Sequence, residues 1–226
     1  DLRIMTQAGG KLDLAVQEAA HAAMVMRGGK FFVMYGQTEA APRMTTLPHD
    51  LFGAKKGSVG PALPGGSIAI WDEFGTPCPP GTEGEVVYGG PNVMMGYVQS
   101  RADLAQPDRM GGILHTGDMG WLDEDGCLYL SGRRDRVGKI HGWRVNLDEI
   151  EDSARQVLET PVAVLLRGDS IVLAHEGAPR DPAPVRLALA DRFALPGHVY
   201  ALAAIPALPR SERGKLDYTR LEAMLP

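Results

Sequence analysis

The sequence has only two cysteines in 226 residues, Cys78 and Cys127. Two cannot make a disulfide framework, and no Cys/His spacing suits zinc. Free thiols in a reducing cytoplasm are the expectation. No apolar run approaches the ~18 residues of a membrane span. The first residues, Asp1-Leu2-Arg3-Ile4-Met5-Thr6, include no initiator methionine and lack a signal-peptide layout. They read as the start of a piece cut from a longer chain. An excess of basic charge is also missing: 23 Lys and Arg stand against 28 Asp and Glu, a net charge of −5. That offers no support for a nucleic-acid binder or an anionic-membrane binder. No internal repeat or low-complexity tract is present.

What is there is ordinary globular material, 44% hydrophobic and 23% charged. The length fits one large domain or two small ones. Glycine (28) and proline (17) are abundant, at roughly one fifth of the chain against a usual ~12%. Turns should therefore be frequent.

Residues 2–6 suit a short strand running into Gly9-Gly10. Apolar residues at Leu12, Val16, Ala19, Ala23 and Met26 have helical spacing, and Gly28-Gly29 closes that helix. The run 31–35 reads as a buried strand stopping at Gly36. Residues 40–58 have no period and read as loop. Short strands follow at 67–71, 85–88, 120–122 and 127–130, with hairpin-turn chemistry at 72–75 and 123–126. After the charged stretch Arg133-Arg134-Asp135-Arg136 a β segment runs to Val145. Asn146 followed by Glu149 resembles a capping box. It opens a helix whose expected buried face is Leu147, Ile150, Ala154, Val157 and Leu158. Strands at 162–166 and 171–174, a helix from 181 or 182 to 193, a strand at 198–205 and a helix at 216–224 complete the chain. The expected division is 1–132 and 133–226, a β-α-β element with a β-rich region followed by a compact α+β unit.

Four stretches can carry chemistry. Tyr35-Gly36-Gln37-Thr38-Glu39 ends a strand on a hydroxyl beside a carboxylate, a pair able to meet a phosphate oxygen and Mg²⁺; a plain polar turn reads equally well. His115-Thr116-Gly117-Asp118 offers an aspartate in a tight turn, suited to two vicinal hydroxyls, and a simple turn aspartate fits too. The run from Gly132 to Val145 is either a solvated linker or a hinge with basic residues reaching a cleft. Pro209 to Lys215 presents a lysine after a turn. It is not a P-loop, because Pro209 stands where that pattern requires glycine.

In order and spacing, these stretches resemble the adenylate-forming superfamily of acyl-CoA synthetases, nonribosomal peptide synthetase adenylation domains and luciferases. Tyr35-Gly36-Gln37-Thr38-Glu39 matches its Tyr-Gly-x-Thr-Glu motif, and Gly84-Glu85-Val86 through Gly96-Tyr97 its Gly-Glu…Gly-Tyr motif. Thr116-Gly117-Asp118, Gly132-Arg133-x-Asp135, Lys139…Gly142…Glu149-Ile150-Glu151 and Pro209…Gly214-Lys215 follow in family order. Gly9-Gly10 with Leu12 matches the upstream Gly-Gly segment.

The resemblance implies the later part of a large α/β adenylation domain followed by a small α+β lid. It implies a carboxylic acid–thiol ligase using ATP, Mg²⁺ and a thiol from CoA or a carrier-protein 4'-phosphopantetheine. An acyl-adenylate and then a thioester would form. By the same resemblance Thr38 is a phosphate ligand and Glu39 the Mg²⁺ ligand. Tyr35 lies against the adenine, Leu130 packs on the nucleoside, and Gly9-Gly10 belong to the nucleotide site. Asp118 accepts the ribose hydroxyls, supported by Arg133. Lys215 is the adenylation lysine, Asp135 the hinge, and Lys139 to Gly142 line the pantetheine side. Three positions depart from the pattern: Arg136 where many relatives have an acid, Gly138 where an apolar residue is common, and Arg213 where a serine is frequent. The family's phosphate loop and most of its acyl pocket lie in a long N-terminal portion absent from this sequence. That portion is therefore an expected partner, as another chain or segment, over exposed edges of the 12–26 helix and its sheet. The alternative is a non-catalytic fragment that binds nucleotide or carrier protein.

Overall fold

The computed structural model describes residues 2–212 and 214–225. The chain divides into two compact units, Asp1–Arg134 and Asp135–Pro226. Arg213, the third departure noted above, lies outside the described residues. No helix among those described is long and apolar enough to cross a membrane.

The first unit opens with β1 (Ile4–Gln7), α1 (Leu14–Met26) and β2 (Lys30–Tyr35). β1 and β2 pair in parallel, and β3 (Thr45–Leu47) adds antiparallel to β2. α1 starts two residues later than the apolar period suggests, because Asp13 caps it by accepting from the Ala15 N–H. Met24, Phe31, Val33, Leu47 and Phe52 form the core of this layer. Elsewhere α1 and β1 leave apolar side chains uncovered, among them Ile4, Val16, Val25 and Met26.

The second sheet is antiparallel and five-stranded, in the order β4 (Ser58–Gly60), β8 (Leu128–Arg133), β7 (Ile113–Leu122), β6 (Gly84–Gly89), β5 (Ser67–Trp71). The 40–58 stretch, read as loop, contains β3, a 3-10 turn at His49–Leu51 and the first residue of β4. Strands of three residues carry too little alternation to register as a period. β7 is likewise far longer than the 120–122 strand expected. Its register against β6 shifts between Glu85 and Val87, where Gly117 takes φ +69°. The Thr116-Gly117-Asp118 segment is thus a bulge inside a continuous strand and not a tight turn, a device that re-aims a side chain. Cys78 and Cys127 are both free thiols.

The second unit begins with the hairpin β9 (Val137–Ile140) and β10 (Trp143–Asn146). Gly138 is small for a reason: a Cβ there would lie 2.5 Å from Leu166 Cδ2. α2 (Leu147–Leu158) is capped by Asn146, which accepts from the Asp148 and Glu149 N–H groups. A mixed sheet follows, β11 (Val162–Arg167), β12 (Ser170–Glu176) and β13 (Tyr200–Ile205), with β12 and β13 parallel. α3 (Ala183–Phe193) and α4 (Tyr218–Met224) complete the unit. The last helix starts at Tyr218 rather than 216 because Asp217 caps it and Leu216 bridges to Arg210.

Successive residues of β11 face opposite sides. Val162 and Val164 join Ile150, Leu158, Val185 and Leu189 in one core. Ala163 and Leu165 join Leu208, Leu221 and Leu225 in another. Both faces of this sheet are therefore covered from within the unit. The α2 face differs from expectation in one place. Val157 is 40% exposed, and Glu151, four residues after Leu147 on the same face, is buried in its stead. Glu151 can lie there because Arg136, Tyr218 and the Val164 N–H all donate to it.

Ile150 has no solvent exposure. Ile150→Ala should lower the unfolding free energy of the second unit by about 2–4 kcal/mol through lost burial and the cavity left behind. Urea denaturation measures this, and a loss under ~1 kcal/mol would contradict the packing described.

Candidate active site

Three strands converge on Asp118. β7 carries the aspartate just beyond its bulge. Thr116 fixes the bulge from within: its hydroxyl donates to the Val86 carbonyl at 2.7 Å and accepts from the Asp118 N–H at 3.0 Å. Tyr35, the last residue of β2, donates its phenol to Asp118 Oδ2 at 2.6 Å. Gln37, two residues on, donates from Nε2 to the same oxygen at 2.8 Å and to the Thr116 carbonyl at 2.8 Å. Arg133, at the end of β8, donates from Nη1 to Asp118 Oδ1 at 2.9 Å. Burial first, then the Asp118 charge, pushes the Tyr35 phenol far above its ordinary value. It is a fixed donor at any physiological pH. A carboxylate has about four acceptor positions, and the three side-chain donors leave room for a further donor.

The chain after Tyr35 turns sharply. Gly36 is required there, since a Cβ would sit 2.1 Å from the Pro42 carbonyl oxygen. A 3-10 turn follows, Thr38–Ala40. Thr38 is exposed and Glu39 half-buried. Asn92 clamps this turn, donating from Nδ2 to the Ala40 carbonyl at 2.6 Å and accepting from the Tyr88 hydroxyl at 2.8 Å. The Met94 N–H donates to the Glu39 carbonyl at 2.8 Å, and Tyr97 donates its hydroxyl to Glu39 Oε1 at 2.5 Å. That hydrogen bond, more than any other influence, holds the Glu39 carboxyl below its ordinary range. Arg133 adds a smaller pull in the same direction.

Among the described residues no group of three or more His, Cys, Asp or Glu could hold a metal ion. Glu39 is a single ionised carboxylate, which fits Mg²⁺ only as a cation brought largely by substrate phosphates.

Of the residues singled out from the sequence, Tyr35, Asp118 and Arg133 are directly bonded, and Glu39 senses the Arg133 charge. Leu130 is half-buried on β8, three residues before Arg133, and packs against the core of Ile70, Val86 and Leu128. Gly9 and Gly10 lie in the exposed β1–α1 connection, where the Gln7 amide donates to the Gly10 carbonyl. Asp135, Lys139, Gly142 and Lys215 belong to the second unit, and all four are exposed. Gly142, with φ +84°, forms the β9–β10 turn together with His141. Lys215 ends a small turn closed by its carbonyl accepting from the Ser211 N–H at 2.8 Å. Gln37, Asn92 and Tyr97 were missed as site residues. For Gln37 the signal existed: at two residues after Tyr35 on an extended chain it shares that residue's side.

Residues 1–98 match the AMP-binding enzyme family model. The 2-succinylbenzoate–CoA ligase of Geobacillus kaustophilus is 32% identical over 99% of this chain and 46% of its own. That of Bacillus cereus is 39% identical over 67% of this chain and 30% of its own. The o-succinylbenzoate CoA synthetase of Bacillus subtilis, solved with its acyl-adenylate intermediate, superposes on 98% of this chain and 46% of its own, with TM-score 0.78 at 26% identity. Fold, motif order and relatives agree: the chain belongs to the adenylate-forming superfamily. Within that class its relatives are acyl-CoA ligases, and its match falls in their C-terminal half. The chain spans less than half the length of these relatives.

Tyr97→Phe removes the hydrogen bond that holds the Glu39 carboxyl down. Its midpoint should rise toward the ordinary 4.5. A depressed folded-state value favours folding above the unfolded value, and that contribution is lost as pH falls through the folded one. The variant should therefore lack that contribution at neutral pH, and its stability should converge with that of wild type as pH falls through the wild-type midpoint. Carboxyl-carbon NMR titration reads the midpoint directly, and an unchanged Glu39 curve would refute this account.

Proposed function

We propose that this chain supplies the nucleoside site, the Mg²⁺ carboxylate and the adenylation lysine of an AMP-forming carboxylic acid–thiol ligase. The observation that carries the reading is the Asp118 carboxylate, oriented by Tyr35, Gln37 and Arg133 with acceptor capacity remaining. A ribose hydroxyl is a donor of the right kind for the remaining acceptor position of such a group. Thr38 and Glu39 stand on the adjoining turn, Thr38 for a phosphate oxygen and Glu39 for the cation that accompanies ATP. The Bacillus subtilis enzyme has been solved with ATP and a magnesium ion, which supports the same pairing here. Tyr35 and Leu130 would flank the nucleoside, and Gly9-Gly10 would edge the same site.

Lys215 would bridge the attacking carboxylate and the α-phosphate, where positive charge offsets the charge developing on the transferring group. Asp135 would be the pivot that exchanges the Lys215 turn for the Lys139–Gly142 hairpin between half-reactions, a gating step. The thiol of CoA, or of a carrier-protein phosphopantetheine, would then enter past Gly142. The pyrophosphate cradle and most of the acyl pocket would come from sequence outside this chain, as part of the same polypeptide or as a partner.

Two measurements test this. Calorimetric titration with AMP should give an affinity at least about tenfold weaker in Asp118→Asn than in wild type, about 1.4 kcal/mol for a hydrogen bond to a charged acceptor. Equal affinities would remove Asp118 from the nucleoside site. With the rest of the enzyme present, Lys215→Ala should reduce ATP–pyrophosphate exchange about 10²–10³-fold and spare thioester formation from supplied acyl-adenylate. Gly142→Trp should do the reverse. The acid panel should include 2-succinylbenzoate and long-chain fatty acids, and equal loss of both half-reactions in both variants would sink the two-face mechanism.

A further inference from the structure

The segment Arg133-Arg134-Asp135-Arg136 is charged at every position, and its arginines are tied inside different units. Arg133 bonds Asp118, and Arg134 donates from Nη1 to Glu85 Oε2 at 2.7 Å, both within the first unit. Arg136 is anchored within the second. It donates from Nε to Asp148 Oδ1 at 2.8 Å, from Nη1 to the Val164 carbonyl at 2.6 Å and from Nη2 to Glu151 Oε2 at 2.9 Å. Its guanidinium also lies over the Tyr218 ring, 3.9 Å from the centroid. Glu151 Oε2 further accepts from the Val164 N–H at 3.0 Å and the Tyr218 hydroxyl at 2.9 Å.

Tyr218 is the first residue of α4 and stands three residues after Lys215. The turn carrying Lys215 is closed at its base by the Asp217 N–H donating to the Pro209 carbonyl at 2.9 Å. The Arg210–Leu216 bridge and the Ser211 N–H bond to the Lys215 carbonyl close it further. A continuous path of bonded groups therefore runs from the first anchored side chain after Asp135 to the lysine turn.

We propose that Arg136, Glu151 and Tyr218 form a positioning lock. It fixes the Lys215 turn to the residue that follows Asp135, so that the turn moves with the rest of its unit as one body. Arg136 and Tyr218 are positioning residues, acting on the reaction only through Lys215. A buried ion pair is weak as a source of stability, and apolar side chains of similar volume often do as well or better. What a fully bonded polar cluster adds is one defined arrangement. Burial, then the charge of Glu151, holds the Tyr218 phenol well above its ordinary value, so it stays a donor. The departure at Arg136 then has a use: an acid in its place could not bond Glu151, Asp148 and the Val164 carbonyl together.

The inference rests on the reading of Lys215 as the adenylation lysine, but the lock itself can be tested apart from it. Tyr218→Phe keeps the ring under Arg136 and loses only the hydroxyl, and Glu151→Gln serves as a second variant. Hydrogen exchange at Ser211 and Asp217 should quicken about tenfold or more in both variants, with Leu173 and Ala174 of β12 at wild-type protection. Uniform acceleration, or none, overturns the lock. In pyrophosphate exchange by the protein with its natural flanking sequence or partner, kcat should fall about tenfold with the KM for ATP within about twofold. Thioester formation from supplied acyl-adenylate should be unchanged. Equal loss in both half-reactions, or a change confined to KM, overturns the positioning role. If the wild-type protein exchanges pyrophosphate with no acid, the ligase reading falls, and the amide pattern alone decides the lock.

Discussion

The first unit is organised around one carboxylate. Asp118 is bonded from the end of β2 by Tyr35, from two residues further on by Gln37, and from the end of β8 by Arg133. These groups come from two different sheets, and a buried anion is a demanding thing to surround. Each donor it gathers fixes the end of a strand. The bulge in β7 exists to deliver it, and the Thr116 hydroxyl holds that bulge. The same cluster sets where the chain turns at Gly36 and therefore where Thr38 and Glu39 stand.

The second unit solves a different problem. Its β11 run is apolar on every residue from Val162 to Leu166, which leaves no face for water. α2 and α3 cover one side, while α4 and Leu208 cover the other. The polar exceptions are drawn together: Glu151 and Arg136 are buried because each satisfies the other and the Val164 backbone. The exposed functional candidates lie on the surface of this unit, Lys139 on β9, Gly142 on the β9–β10 turn and Lys215 at the end of the turn before α4.

Much of this was legible from the residues. The period from Leu12 to Met26, the Asn146 cap and the turn chemistry at 72–75 after the 67–71 strand placed their elements to within two or three residues. The ordered motifs located Tyr35, Asp118 and Arg133, which are bonded to one another in the fold. What escaped had physical causes. Strands as short as β3 and β4 owe their existence to the neighbour they pair with, so local pattern cannot reveal them. The β7 bulge depends on register against β6. Burial of Glu151 in place of Val157 depends on Arg136 and Tyr218, which are distant in sequence. Gln37, Asn92 and Tyr97 act through partners 30 or more residues away.

A consequence of the twice-covered β11–β13 sheet concerns heredity rather than chemistry. A unit whose two cores are filled by its own helices brings its folding instructions with it, and its joint to the preceding sequence lies in exposed backbone at Asp135. Recombination at that point disturbs neither core. The codons around Asp135 are thus a natural crossover site, at which lineages can exchange the second unit while keeping the first, so that the two units diversify on separate genealogies.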